Sequence, residues 1–137
     1  MLRGDNWIAT NMNALMQGPD WNSSATFITY DDCGCFYDHV PPPPGLGIRV
    51  PMVIVSPYAK PASTDSTTAS FGSMLAFIEH TFGLAPLSSH DADAYDYSGS
   101  FDFLQRPISP VPLPKHRVPV SELRWIASHP PDDEDPT

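Results

Sequence analysis

Length, composition and charge limit the fold and exclude two kinds of function. The chain has 137 residues and 41% hydrophobic content, enough for one domain of ordinary size with a modest core. The formal net charge of −9 would repel a polyanion, so nucleic acid is not expected as a partner. No stretch approaches the ~20 apolar residues of a transmembrane segment.

The first half of the chain predicts a helix and two strands. Apolar residues at helical spacing predict a helix over 5–17, with Asp5 as N-cap and Gly18 as the stop. β-branched and aromatic residues predict a strand over 25–30. The continuous apolar run in 50–56 predicts a second strand that is buried on both faces. The proline-rich connector between the strands cannot be helical, and long connectors of this kind are often functional.

The second half predicts helices and a proline-rich extension. An apolar stripe predicts a helix over 69–82, which Gly83 ends while Leu84 covers the last turn. Residues 85–104 have a loop-like composition, and a short helix is expected near 121–127. Two strands and two long helices cannot bury a strand that is apolar on both faces, so further strands must come from missing sequence or a partner. We therefore interpret the chain as the carboxyl-terminal part of a larger α/β enzyme.

An acidic cluster follows the first predicted strand. Asp31, Asp32, Asp38 and His39 fall within nine positions just past the end of that strand, where open α/β sheets place their ligands. Two adjacent carboxylates repel each other unless a cation lies between them. Hard oxygen ligands at such an edge indicate a divalent metal that assists hydrolysis.

Five short motifs follow one another along the chain: Gly4-Asp5-Asn6-Trp7, Asp31-Asp32-x-Gly34-x-Phe36-Tyr37-Asp38-His39-Val40-x-Pro-Pro, the segment 49–60, Ser73-Met74-Leu75-x-Phe77-Ile78-Glu79 and Phe101-Asp102-Phe103. In this order they resemble the motifs of a bacterial phosphoesterase family that includes phospholipases C and acid phosphatases. The resemblance covers about residues 4–104. It implies an α/β fold, a partial α/β/α sandwich of the alkaline phosphatase type.

The resemblance implies metal-assisted hydrolysis of a phosphate ester or phospholipid. By motif position, Asp31 and Asp32 would be metal ligands, for Ca, Mg, Mn or Zn. His39 would stabilise phosphoryl charge or donate a proton to the leaving oxygen, or it would anchor the loop. Asp38 would form a turn or orient His39. Arg49 suits phosphate chemically, although an isolated arginine before a strand is more often structural.

The chain also departs from the family pattern. The family's nucleophile and its early Glu-Asn metal motif lie in an amino-terminal half that this chain does not contain, so we expect the isolated chain to be inactive. Ser66 stands near the place of a usual histidine. Cys33 and Cys35 are too close for an unstrained disulfide and give only a weak zinc signal. A non-catalytic remnant or binding module is the alternative, and a sulfatase-like or phosphonate-cleaving activity stays open.

The predicted organisation places residues 1–104 in a phosphoesterase domain and 105–137 in a proline-rich extension. The acidic tail from about 129 onward is expected to be disordered. Family members are often secreted or periplasmic, but the first residues lack the apolar run of a signal peptide. The sequence therefore predicts no particular compartment.

Overall fold

A computed structural model describes residues 2–31, 34 and 36–129 of the chain. Asp32, Cys33, Cys35 and the predicted acidic tail from residue 130 lie outside the described residues. The mixed α/β composition agrees with the predicted class. The elements are helices α1 (Leu2–Gln17), α2 (Gly72–Phe82), α3 (Ser89–Ala92) and α4 (Val120–Ser128), strands β1 (Thr26–Thr29) and β2 (Met52–Val55), and 3-10 turns at Trp21–Ser23 and Ser98–Ser100.

The chain divides into two compact units. The first comprises residues up to 23 together with those from 109 onward, and the second comprises residues 24–108. In the first unit, α1 begins at Leu2 rather than at the expected N-cap, Asp5. Asp5 lies in the first turn instead, where its negative charge interacts favourably with the positive end of the helix dipole. None of the helices within the described ranges is long and apolar enough to cross a bilayer.

The second unit is built around an aromatic core between the sheet and α2. β1 and β2 pair antiparallel, with Thr26 opposite Val55 and Thr29 opposite Met52. The ring of Phe27 lies 5.1 Å from Phe77, 5.3 Å from Tyr97 and 6.4 Å from Phe101, measured between centroids. Tyr97 and Phe101 are buried. These rings join β1 to α2 and to the chain that follows it.

The apolar faces of β2 and α2 are less buried than the sequence predicts. Val53 of β2 is 55% exposed, so this strand is not buried on both faces. Within the described residues the sheet comprises β1 and β2 alone, and Val55, on the same side of β2 as Val53, is half-buried. In α2 the buried residues are Ser73, Ala76 and Glu79, whereas the apolar stripe is exposed at Phe71, Leu75, Ile78 and Phe82.

The region after α2 is more ordered than its polar composition suggests. Gly83 adopts the left-handed conformation (φ 64°), and the N–H of Leu84 donates to the carbonyl of Glu79, as predicted for the end of α2. The four-residue helix α3 follows, with a capping box between Ser88 and Asp91. A helix of four residues is too short to show a hydrophobic period, and the sequence therefore predicts a loop there.

Candidate functional site

The long loop over 30–51 begins and ends at the same end of the sheet. This follows from the antiparallel pairing, in which the last residue of β1, Thr29, lies opposite the first residue of β2, Met52. The Thr29 hydroxyl also donates to the carbonyl of Pro51 at 2.8 Å. The sheet thus holds the two ends of the loop that carries the predicted acidic site.

The chain makes a tight turn at Gly34, shortly after β1. The N–H of Gly34 donates to the carbonyl of Asp31 at 2.8 Å, and Gly34 has φ +57°. A Cβ at this position would lie 2.6 Å from Cδ2 of Tyr30 and 2.9 Å from its Cβ, so only glycine fits. The Tyr30 ring in turn contacts Phe36, with centroids 5.5 Å apart. Asp31 lies at the surface in this turn, while its neighbour Asp32 is outside the described residues.

The best defined polar contact of the loop is the ion pair between Asp38 and Arg49. Arg49 Nε lies 2.6 Å from Asp38 Oδ2, and Nη2 lies 3.2 Å from Oδ1. The N–H of Val40 also donates to Oδ1, at 2.9 Å, which confirms Asp38 as a turn residue. Arg49 and then Val40 hold the pKa of Asp38 below its ordinary value. The Asp38 side chain is 13% exposed and that of Arg49 is 62% exposed, so the carboxylate fixes an arginine that faces solvent.

His39 is placed differently from Asp38. Its side chain is 81% exposed, and its Nδ1 lies 3.9 Å from Asp38 Oδ1, which is beyond hydrogen-bonding distance. Asp38 is therefore engaged by Arg49 and the Val40 N–H rather than acting as a hydrogen-bonded orienting partner of His39. A cavity of about 300 Å³ adjoins the ion pair and is lined by Asp38, Arg49, Val50 and Pro51.

The metal-ligating role predicted for Asp31 and Asp32 stays a prediction. Within residues 2–31, 34 and 36–129, no three His, Cys, Asp or Glu side chains converge in a way that could hold a metal ion. Asp32, one of the two predicted ligands, is not among these residues. The catalytic role of His39 likewise stays a prediction.

One polar network of the second unit was not anticipated from the sequence. Oδ2 of Asp65 accepts hydrogen bonds from the hydroxyls of Tyr95 (2.6 Å) and Ser100 (2.9 Å), and Oδ1 accepts from the Thr67 N–H (3.0 Å). These donors, Tyr95 first, hold the pKa of Asp65 well below its ordinary range. Asp65 thereby fastens the segment that contains Ser66 to the chain around residues 95–100. Its partners are 30 and 35 residues away, a separation that leaves no local signal in the sequence.

A second unanticipated pair joins α2 to the chain after α3. His80 Nδ1 lies 2.8 Å from Asp96 Oδ2, and the Ser98 N–H donates to Asp96 Oδ1 at 3.0 Å. His80 is the first cause that lowers the pKa of Asp96, to about 2. Asp96 is thus fixed through both oxygens, while His80 lies on the exposed side of α2.

Comparison with known proteins places the chain in a family. The model of the Phosphoesterase family matches residues 1–85. The chain is 35% identical to a non-hemolytic phospholipase C of Burkholderia pseudomallei (52% of this chain, 15% of the relative). It is 31% identical to the non-specific phospholipase C6 of Arabidopsis thaliana (73% and 25%) and 28% identical to phospholipase C A of Mycobacterium tuberculosis (80% and 27%).

The matched stretch makes up a large share of this chain and a small share of each relative. The chain spans between 15% and 27% of the length of the three proteins named above. The family match nevertheless covers well over half of the chain and includes β1, β2, α1, α2 and the whole loop between the strands. The chain therefore belongs to the phosphoesterase family.

Proposed function

We propose that the chain is part of a metal-assisted phosphate ester hydrolase of the phospholipase C or acid phosphatase type. The observation that carries the proposal is the family match over residues 1–85, which contains the entire loop from Asp31 to Arg49. The relatives named above are phospholipases C, and a phospholipid or another phosphate ester is the corresponding substrate class for this chain.

The loop offers chemistry suited to a phosphate. Arg49 presents a planar fork of five N–H groups, of which two are directed at Asp38. The exposed remainder of the guanidinium suits the oxygens of a phosphate, which arginine binds with two parallel hydrogen bonds. Asp38 holds the fork in place, and the adjoining cavity gives a ligand access to it. His39 directly follows Asp38 in the sequence. We assign to it a role in stabilising phosphoryl charge or protonating the leaving oxygen.

The metal belongs at the start of the same loop. Asp31 and Asp32 supply two carboxylates, whereas hard divalent ions take six or more oxygen ligands, so the other ligands must come from elsewhere in a complete domain. When bound, such an ion would polarise the phosphoryl oxygens and activate the nucleophile. Calcium, magnesium, manganese and zinc are all compatible with carboxylate ligands.

A complete domain would also explain the exposed apolar surfaces. The exposed side chain of Val53 and the outward stripe of α2 suit burial under further strands and helices of an α/β/α sandwich of the alkaline phosphatase type. In this view, residues 1–104 form the carboxyl-terminal part of the domain and the proline-rich extension from residue 105 follows it. The nucleophile would lie in the part that precedes the matched segment.

Hydrolysis of chromogenic esters tests the proposal. The isolated 137-residue chain is assayed with p-nitrophenyl phosphate and p-nitrophenyl phosphorylcholine in the presence of each divalent metal. The stretch of this chain that matches phospholipase C A of Mycobacterium tuberculosis, 80% of the chain, then replaces the corresponding segment of that protein. We expect no turnover by the isolated chain and turnover by the folded chimera.

Two outcomes separate the proposal from its alternative. A folded chimera that hydrolyses neither ester would favour a non-catalytic remnant or binding module. If the chimera is active, two variants test the guanidinium of Arg49. Arg49→Lys replaces the planar fork with a point charge, and Arg49→Gln removes the charge. A rise in KM in both variants, larger for glutamine, supports phosphate binding by Arg49, while unchanged kinetics in both removes that role.

A further inference from the structure

The first unit contains a hydrogen-bonding pattern that the phosphoesterase chemistry does not use. Two asparagines of α1, Asn6 and Asn13, each pair with the backbone of one residue in the proline-rich extension. Asn13 Nδ2 donates to the carbonyl of Leu113 at 2.9 Å, and the Leu113 N–H donates to Asn13 Oδ1 at 2.8 Å. Asn6 makes the same two bonds with His116, at 2.6 and 2.7 Å. We call these four bonds the asparagine ladder.

The segment bound by the ladder is pre-set for an extended conformation. Residues 110, 112, 114 and 119 are proline, which fixes φ near that of polyproline II and keeps the preceding residue extended. Pro119, at the end of the segment, has φ −60° and ψ 144°. We call residues 109–119 the strap. An extended strap loses little conformational entropy on binding, because proline has already restricted the unbound chain.

The spacing of the two asparagines matches the repeat of the strap. Seven residues along a helix span about 10.5 Å. Three residues of polyproline II, from Leu113 to His116, span about 9.3 Å. The strap runs antiparallel to α1, since the earlier residue Leu113 pairs with the later asparagine. Ala9 lies between Asn6 and Asn13 on this face, and its small side chain leaves room for a backbone to approach.

The asparagine ladder binds backbone atoms of the strap and none of its side chains. Each asparagine needs one residue with both a free N–H and a carbonyl, so proline is excluded at the two ladder positions and allowed on either side of each. The strap obeys this rule, because Leu113 and His116 are the paired residues while Pro112 and Pro114 flank the first of them. The strap itself is largely exposed, so few contacts besides the ladder hold it.

From these features we propose that the Asn6–Asn13 face of α1 is a binding site for extended proline-rich peptides. Its resident ligand is the strap of the same chain, and its requirement is a residue other than proline at positions p and p+3. A second proline-rich peptide that meets this requirement competes with the strap for the site. Asn6 and Asn13 lie within the family match, whereas the strap lies outside it. The proposal concerns peptide binding and does not require the hydrolase activity.

The experiment weakens the resident strap in the full chain and offers a peptide in its place. The double variant Leu113→Pro/His116→Pro removes both ladder N–H donors and keeps the strap extended. Lys115→Pro is the matched control, since Lys115 lies between the ladder positions. A fluorescein-labelled peptide of residues 109–119 is titrated by fluorescence polarisation against the wild type, both strap variants and Asn6→Leu/Asn13→Leu. Far-UV circular dichroism checks that α1 is intact.

The expected result is binding that depends on the ladder at both ends. The peptide should bind the double strap variant at least about tenfold more tightly than it binds the wild type or Lys115→Pro. A peptide with proline at the positions of Leu113 and His116 should bind at least about tenfold more weakly. Absence of binding to the double strap variant would overturn the proposal, and so would equal binding of the two peptides or equal binding to Asn6→Leu/Asn13→Leu.

Discussion

The carboxylate of Asp38 and the guanidinium of Arg49 are eleven residues apart in sequence and share two hydrogen bonds of 2.6 and 3.2 Å. The pair closes the second part of the loop between the strands and turns a surface arginine into a fixed one. Because the sheet holds the loop at both ends, this contact fixes the position of the Arg49 guanidinium within the candidate site.

Two substitutions of Asp38 separate the ion pair from the turn. Asp38→Asn removes the charge but keeps an Oδ1 acceptor for the Val40 N–H, whereas Asp38→Ala removes both. We expect hydrogen exchange of the Val40 amide to stay slow in the asparagine variant and to become fast in the alanine variant. The Arg49 Nε–H signal in NMR should lose its protection in both. Retained protection of Arg49 Nε–H in Asp38→Ala would contradict the ion pair.

Gly34 should be more sensitive to substitution than the other left-handed glycine of the loop, Gly45. Both have positive φ, at +57° and +82°, so alanine costs about 1–2 kcal/mol in backbone energy at either position. Only at Gly34 does the added Cβ also overlap Tyr30, while at Gly45 it meets nothing within 4 Å. Urea unfolding should therefore show a larger loss of stability for Gly34→Ala than for Gly45→Ala. Equal losses would show that the turn does not fold back onto Tyr30.

The elements that the sequence predicted correctly are those with local signals. β1 and β2 are rich in β-branched and aromatic residues, and α2 ends at a glycine whose φ no other residue adopts as readily. The start of α1 was placed three residues too late because Asp5 also suits the first turn. Hydrophobic periodicity located the stripe of α2 correctly, but a period cannot tell which side of a helix is covered.

The polar contacts of the second unit could not be predicted, for a different physical reason. Asp38 with Arg49, His80 with Asp96 and Asp65 with Tyr95 are pairs brought together by loop closure, at separations of 11, 16 and 30 residues. Nothing in the identity of either partner selects the other. The sequence did locate the loop, because proline and glycine exclude helix there and the acidic cluster stands out against apolar strands.

The pair of His80 and Asp96 predicts a contribution to acid stability. The pKa of Asp96 falls from its ordinary value of 3.8 to about 2 in the folded chain, so folding favours the ionised form. The resulting stability is present above about pH 4 and is lost as the pH falls toward about 2. After allowance for solvent screening it amounts to about 1 kcal/mol. Asp96→Asn should lower the free energy of unfolding at pH 6 and leave it almost unchanged at pH 2, and a pH-independent loss would contradict this origin.

Glu79 predicts the opposite pH dependence. Burial, and then the neighbouring carboxyl of Asp91, raises the pKa of Glu79. Among the described residues its Oε2 atom finds no hydrogen-bond donor. A raised carboxyl pKa means that stability present below the unfolded value is lost as the pH rises through the folded value. Glu79→Gln should therefore have a higher Tm than the wild type at pH 7.5, with the difference vanishing near pH 4.

The matched control for Glu79 is Glu122→Gln in α4. It changes the net charge by the same amount but at a half-buried position that accepts the Arg3 N–H. No pH-dependent gain in Tm is expected from it. A similar gain in both variants would mean that the effect arises from the overall negative charge rather than from the burial of Glu79 beside Asp91.

The measurement that bears most directly on the proposed hydrolase is the turnover of Asp32→Asn in the active chimera, relative to Asp93→Asn, an exposed carboxylate at the end of α3. A metal ion contributes several kcal/mol to the transition state, so loss of a ligand should lower kcat/KM by about 10³-fold or more, with the fold retained. Asp93→Asn should match the unsubstituted chimera. Turnover of Asp32→Asn within a few-fold of that of Asp93→Asn would contradict a metal held at the acidic pair.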